Sequence, residues 1–352
     1  MSVGYQKRLG IGIVGLGMVA GTHARALAEL RDRIEVRAVF ARDEARRENF
    51  ANEHGLAAIV SLDALLDQPG LDAILLLTPP NARFDIIRAA ALRGIHVLTE
   101  KPLGRNSDEA REIVALCEGA GVTLGVVFQH RFRAASIALK QLADSGELGR
   151  MALVQVSVPW WRPQSYYDEP GRGTYARDGG GVLISQAIHT LDLMLSVTGP
   201  VAEVSAIAGT SLLHDMEAED FVGAGLRFVN GAFGVLTATT AAFPGGTESI
   251  AITFERGQAR LEGGRLTVTG MDGSRREVGE AASTGGGADP MAFPHDWHRD
   301  LISDFAAAIA ERRQPAVSGR EALKVHELID ALILSSRQKR TIALGETSTQ
   351  DI

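Results

Sequence analysis

LGIGIVGLGMVAGTHARAL, Leu9 to Leu27, holds the change of period on which the fold turns. Its first six residues make a short apolar run suited to a buried strand, and from Met18 onward the pattern is helical. Between the two stands Gly15-x-Gly17-x-x-Ala20. Gly15 permits the tight turn, Gly17 lets a pyrophosphate approach the backbone, and Ala20 lets helix and strand pack closely. The helix start offers amide donors and positive potential to phosphates. Alone such a pattern is weak; opening the first strand–helix unit of an alternating domain, it is a dinucleotide signal.

The alternation continues outward. Apolar runs at Leu9–Val14, Val36–Phe40, Ala73–Leu77, His96–Leu98 and Thr123–Val127 read as buried strands, with helical patterns near Met18–Leu30, Glu44–His54, Ala82–Arg93 and Asp108–Gly119 between them. This predicts a doubly wound α/β domain, of the Rossmann type, over residues 1–128 with a parallel sheet. Residues 129–345 read differently. A helix at Ala134–Asp144 leads to strand-like runs at Ala152–Val158, Glu203–Gly209, Gly223–Phe228, Ala232–Thr239, Glu248–Glu255, Gln258–Glu262 and Arg265–Thr269, separated by turn signals such as VNGA and EGGR. Helices near Val182–Ser196, Asp300–Glu311 and Arg320–Ser336 complete an α+β domain on a large, mostly antiparallel sheet. The glycine-rich AASTGGGADP reads as a surface loop.

Composition narrows the class. The 352 residues carry a net charge of −7, from 36 basic and 43 acidic residues, which argues against a nucleic-acid surface. The one cysteine, Cys117, lies in a helical apolar pattern and reads as a small core residue. Lys7 and Arg8 before an apolar run imitate a signal peptide, but spaced glycines suit a strand–helix turn better. No run of 18 apolar residues occurs, so no membrane span is expected, and the expected location is the cytoplasm.

The second strand ends in RAVFARDEARR, where an acid would hold ribose hydroxyls. Ala41 stands there instead, followed by Arg42 and Arg46, which suit a 2′-phosphate; Asp43 competes as an NAD ribose ligand but occupies a helix N-cap position. The reading leans toward NADP over NAD. The third and fourth strands end in TPPN, Thr78 to Asn81, and EKP, Glu100 to Pro102. Ligands bind at the carboxyl edge of such sheets, so Lys101 is expected to face the nicotinamide end. In RDGGGVLISQAIHTLD, three glycines precede a helix that would set Ser185, His189 and Asp192 on one face. Asp192 could orient the His189 imidazole, which can accept a proton near neutral pH. His130 and Arg131 follow the fifth strand. The loop WWRPQSYYDE, with Trp161, Arg162 and Tyr166, suits a sugar or polyol, or equally an oligomer contact. His295 and His298 lack a third ligand at an expected spacing, and no metal is expected.

With these motifs, and with the closing SGREALKVHELIDALILSS, the chain resembles the glucose–fructose oxidoreductase / inositol dehydrogenase (Gfo/Idh/MocA) family over nearly its whole length. The resemblance implies a nicotinamide-dependent dehydrogenase acting on a secondary alcohol of a sugar or cyclitol. It implies Lys101 and His189 as the catalytic pair and an oligomer formed through the outer face of the second sheet. Carried over residue by residue, it implies cofactor contacts at Gly15, Gly17, Met18, Val19, Ala41, Arg42, Arg46, Thr78, Pro79, Asn81, Glu100, Lys101 and Gln129. Substrate contacts would come from Lys101, Arg131, Trp161, Arg162, Tyr166, Ser185, His189 and Asp192. The central segment is similar to dehydrogenases of nucleotide-linked sugar uronates. Two departures stand out: Ser185 where many members carry Asp or Asn, and Arg83 where many carry His. Arg83 is expected to set a fixed charge near the mouth of the site, and Ser185 to leave proton transfer to His189 and Lys101. The competing reading is a non-catalytic NAD(P)-binding sensor on the same scaffold.

Overall fold

The structure, a computed structural model, describes residues 8–280 and 294–344, so the glycine-rich segment AASTGGGADP falls outside the described residues. Two compact units emerge. The first contains residues 8–104, 109–128 and 294–322. It therefore includes a late segment that the sequence division groups with the C-terminal part.

Five parallel strands form the first unit's sheet: β1 (Leu9–Val14), β2 (Ile34–Phe40), β3 (Ala73–Leu76), β4 (His96–Glu100) and β5 (Leu124–Val127), in the order β2-β1-β3-β4-β5. Helices α1 (Ala20–Glu29), α2 (Glu44–His54), α3 (Leu62–Leu66), α4 (Arg83–Ala91) and α5 (Ser107–Gly119) connect them. Beyond β2 a single parallel bridge, Val39 to Ala58, stands for one more strand. Its two hydrogen bonds are Val39 N–H to Ala57 O at 2.9 Å and Ile59 N–H to Val39 O at 3.0 Å. Counting that bridge, the order is that of a dinucleotide-binding sheet, with the reversal between β1 and β3. The residues of β3 are all buried, as covering on both faces demands. The helix Asp296–Glu311 belongs here too: Phe305 sits where a Cβ on Gly125 would come within 2.8 Å, which accounts for a glycine in the middle of β5.

The second unit is built on nine strands: β6 (Met151–Pro159), β7 (Val201–Gly209), β8 (Phe221–Phe228), β9 (Phe233–Thr239), β10 (Ser249–Phe254), β11 (Gly257–Glu262), β12 (Arg265–Gly270), β13 (Arg275–Val278) and β14 (Ile342–Ala343). Their order is β13-β12-β11-β10-β6-β9-β8-β7-β14. Every neighbouring pair is antiparallel except β6 with β9. Along β6, buried Val154, Val156 and Val158 alternate with exposed Leu153 and Gln155, the signature of a sheet with one covered face. The helices Ala134–Ser145 and Ile188–Thr198 pack against this sheet. Among the described residues no helix is long and apolar enough to cross a membrane.

Candidate active site

In the first unit the glycine turn and the Thr78 turn are built against each other. Gly15 has φ +91°, and a Cβ there would meet Thr78 N at 2.9 Å, so only glycine fits. Gly17 is the opposite case: a Cβ on it meets nothing within 4 Å, leaving open space before the turn. Helix α1 starts from Val19 without any side-chain cap, its Ala20 and Thr22 amides turning back to Gly17 O and Val19 O at 3.1 Å each, so no side chain competes with an anion at the helix start. Ala20 is buried as close packing requires, while Met18 is exposed. The Thr78 hydroxyl is buried and has no hydrogen-bond partner among the described residues. An open glycine turn, uncapped amides and an orphaned hydroxyl fit a dinucleotide.

At the end of β2, Ala41 is buried and its carbonyl accepts from Arg47 at 3.1 Å. Asp43 does cap α2, accepting from the Arg46 amide at 2.9 Å. The Arg42 and Arg46 side chains are exposed. Arg47, buried and absent from the sequence reading, is the residue that holds this corner.

β4 delivers Glu100 and Lys101. The buried Glu100 carboxylate takes a hydrogen bond from the Lys101 amide at 3.1 Å and pairs with His23 Nε2 at 2.8 Å. Burial opposes its charge, yet the hydrogen bond and electrostatic attraction of His23, with Lys101 nearby, prevail and hold its pKa below the usual carboxylate value. The His23 and His298 rings meet edge-on, centroids 4.9 Å apart. Burial, and then the neighbouring His23, drop the His298 pKa to about 3. His295 and His298, three residues apart, part company in the structure. His298 joins this buried cluster, whereas His295 pairs with the partly exposed Glu29 at 2.8 Å. The Lys101–Pro102 peptide bond is cis.

Arg83 requires a larger correction. It is 2% exposed, and its five N–H groups are all directed at backbone carbonyls. It therefore puts no fixed charge at the mouth of a site. A guanidinium so engaged has no donor left for a substrate anion. Pro79 and Asn81, on the same turn, are exposed.

In the second unit Arg131 forks onto Asp192, with Nε to Oδ2 at 2.7 Å and Nη2 to Oδ1 at 2.6 Å. Asp192 is 1% exposed, so its charge is met by a bidentate partner. His189 lies one helical turn before Asp192 and stacks on His130, centroids 4.8 Å apart. Gln129 is buried, and its Oε1 has no hydrogen-bond partner among the described residues. Sequence reasoning expects a regular helix through Ser185. The structure winds Leu183–Ala187 as a π-turn before the α-helix Ile188–Thr198 begins. Ser185 lies inside that π-turn, and His189 and Asp192 lie in the α-helix that follows. Glu219 anchors the turn, its carboxylate accepting from Gly181 and Leu183 amides, each at 3.1 Å. Burial raises the Glu219 pKa against those amide bonds. A Cβ on Gly181 would lie 1.8 Å from Glu219 O, which explains the last glycine of the triplet.

The aromatic loop gathers in the same unit. Trp161 packs edge-on against Phe243, and Arg162 lies near the faces of Trp160 and Tyr166, at 5.4 and 5.6 Å. Arg172 stands 4.1 Å over Tyr166, and Gln186 donates to the Tyr166 hydroxyl at 3.3 Å. His214 accepts no freedom here: its two ring nitrogens are tied to Asp220 at 2.7 Å and the Arg162 carbonyl at 2.8 Å. Nothing in the spacing of Arg172, His214 or Glu219 signalled them.

Comparison with known proteins agrees with this architecture. Residues 9–128 match GFO_IDH_MocA, an oxidoreductase family with an NAD-binding Rossmann fold, and residues 137–260 match the GFO/IDH/MocA C-terminal domain. The myo-inositol 2-dehydrogenase of Thermotoga maritima is 26% identical over 96% of this chain and 98% of its own length. A D-xylose 1-dehydrogenase (NADP(+)) of Haloferax volcanii is 28% identical over 95% of this chain and 98% of its own. Among solved structures, the WlbA dehydrogenase of Bordetella pertussis, in complex with NADH and UDP-GlcNAcA, is 30% identical with a TM-score of 0.83, covering 96% of this chain and 99% of that one. The chain is thus a member of the Gfo/Idh/MocA oxidoreductase family, with an NAD-binding Rossmann fold in its first unit.

Proposed function

We propose that this oxidoreductase is a dehydrogenase of a sugar secondary alcohol, with nucleotide-linked sugar uronates as its preferred substrate class. The observation that carries the reading is Lys101 at the carboxyl end of β4, its amide fixed by Glu100, in the same unit as an open glycine turn. Likeness to the inositol and xylose dehydrogenases supports the reaction class, and likeness to WlbA supports the uronate. The cationic and aromatic cluster of Arg162, Arg172, Trp161 and Tyr166 has the chemistry to meet a nucleotide and its charged phosphates.

The nicotinamide, when bound, supplies the hydride acceptor. Gly15, Gly17, Met18 and Val19 would take the pyrophosphate, with Thr78, Pro79, Asn81, Glu100, Lys101 and Gln129 toward the nicotinamide end. Ala41, Arg42 and Arg46 would receive the adenosine ribose, and the two exposed guanidiniums favour a 2′-phosphate. Lys101 holds the reacting hydroxyl and stabilises negative charge developing on its oxygen. His189 takes the hydroxyl proton, its neighbour Asp192 being neutralised by Arg131. Ser185 hydrogen-bonds a substrate hydroxyl. The exposed apolar residues Leu153, Phe233 and Val235, side by side on β6 and β9, offer the outer face of the sheet to a second copy.

The test is reduction of NAD and NADP with UDP-GlcNAcA, myo-inositol and D-xylose, followed by absorbance, for the parent protein and Lys101→Met. The expected result is turnover with UDP-GlcNAcA, abolished in the variant while cofactor binding persists. Turnover retained by Lys101→Met refutes the assignment of Lys101.

A further inference from the structure

Arg83 is one of the two departures noted in the family resemblance, and the structure parts from the sequence reading there. It opens α4 directly after the Pro80–Ala82 turn, with its guanidinium facing inward. Nε donates to Thr78 O at 2.9 Å and Nη2 to the same oxygen at 2.7 Å. Nη2 also reaches Lys101 O at 3.3 Å, and Nη1 donates to Glu100 O and Pro102 O. Three of the four acceptors are consecutive, at the point where β4 ends and ladder partners run out. Buried carbonyls there must find a donor. A planar guanidinium with five N–H groups supplies one for each; an imidazole at this position could supply at most two.

The other side of the same residue is tied as well. The Lys101 amide donates to Glu100 Oε2 at 3.1 Å, and Glu100 Oε1 is held by His23 at 2.8 Å. The peptide groups before and after the Lys101 Cα are thus both fixed, one by a carboxylate and one by Arg83. We propose that Arg83 is a positioning residue for Lys101, clamping the end of β4 to the Thr78 turn so that the amine leaves the backbone from one fixed point. This rests on the assignment of Lys101 above. A misplacement of about 1 Å in a reacting group costs about 10²-fold in rate, which sets the scale of the effect.

The experiment compares the parent with Arg83→Gln, Arg83→Lys and Lys101→Met, counting active sites by cofactor titration. The chain has few lysines (7, 101, 140, 324 and 339), so ¹³C-dimethylation gives a resolved Lys101 signal, assigned by its loss in Lys101→Met. In Arg83→Gln the signal is expected to shift or split, because the backbone that carries the amine is no longer held at the Lys101 carbonyl. Turnover of UDP-GlcNAcA per cofactor-binding site should fall about 10²-fold with little change in KM. Arg83→Lys, which restores the charge and at most three donors, should recover part of both losses. A purely structural role would lower the number of cofactor-binding sites and the Tm, leaving turnover per site and the Lys101 signal unchanged; that result overturns the proposal. If Lys101→Met keeps its turnover, the assignment of Lys101 fails, whereas an unmoved Lys101 signal in Arg83→Gln fails the clamp alone.

Discussion

The buried cluster behind Lys101 should make the first unit sensitive to mild acid through one histidine. His298 is 1% exposed, and burial with the adjacent His23 brings its pKa to about 3. In the unfolded chain a histidine titrates at about 6.5. The folded form therefore binds fewer protons in this range, and stability falls as pH falls from about 6.5 toward 3. Between pH 7 and pH 5, a group with those two values costs about 2 kcal/mol. Glu100, held below the usual carboxylate value, loses its contribution only at lower pH, so this window isolates the histidine. The perturbation is His298→Phe, which keeps a ring against His23 but cannot take a proton. Trp297 is the tryptophan of the first unit, while Trp160 and Trp161 belong to the second. Urea unfolding followed by the ¹⁹F signal of 5-fluorotryptophan at Trp297 thus reports the first unit separately. The parent should lose about 2 kcal/mol more than the variant between pH 7 and 5. A constant offset between the two, from packing or lost hydrogen bonding, leaves the reasoning intact; parallel pH dependence refutes it. His96, whose pKa burial also lowers, acts in both proteins and cancels in the difference.

Two further outcomes follow from single residues. Gly15→Ala must place a Cβ 2.9 Å from Thr78 N at φ +91°, and thermal unfolding should show a loss of about 1–3 kcal/mol. Gly17→Ala meets no atom within 4 Å, so it should keep the parent Tm yet weaken NADH binding in a fluorescence titration; unchanged binding would remove the pyrophosphate from this turn. Cys117, 1% exposed and with its thiol pushed up to about 12 by burial, should resist a thiol reagent at pH 8 until urea unfolds the chain. Rapid labelling of the native protein would contradict that environment.

What could be read in advance was whatever a residue owes to its covalent neighbours. The Gly15 turn, the all-apolar β3 and the alternation along β6 are local patterns, and each forms as its period dictates. The strand at Ala58 escaped because one bridge leaves no period to detect. The return of the helix Asp296–Glu311 to the first unit escaped because an apolar stripe says that a helix packs, not on what. The same reasoning explains the site. Lys101 and His189 stand out through their motifs, but the π-turn at Leu183–Ala187 depends on Glu219, a distant carboxylate that holds two amides. The neighbours of His298 in space, His23 and Glu100, lie far from it in the chain, so no spacing reveals them. Arg83 is the sharpest case. A sequence displays a guanidinium only as a charge, and a charge near a ligand suggests a ligand of opposite sign. Once the side chain is buried, its donors weigh more than its charge: three of its N–H groups serve the carbonyls at the end of β4 and two serve Thr78 O. The proposal that Arg83 holds Lys101 follows from those donors, not from the charge that the sequence displays.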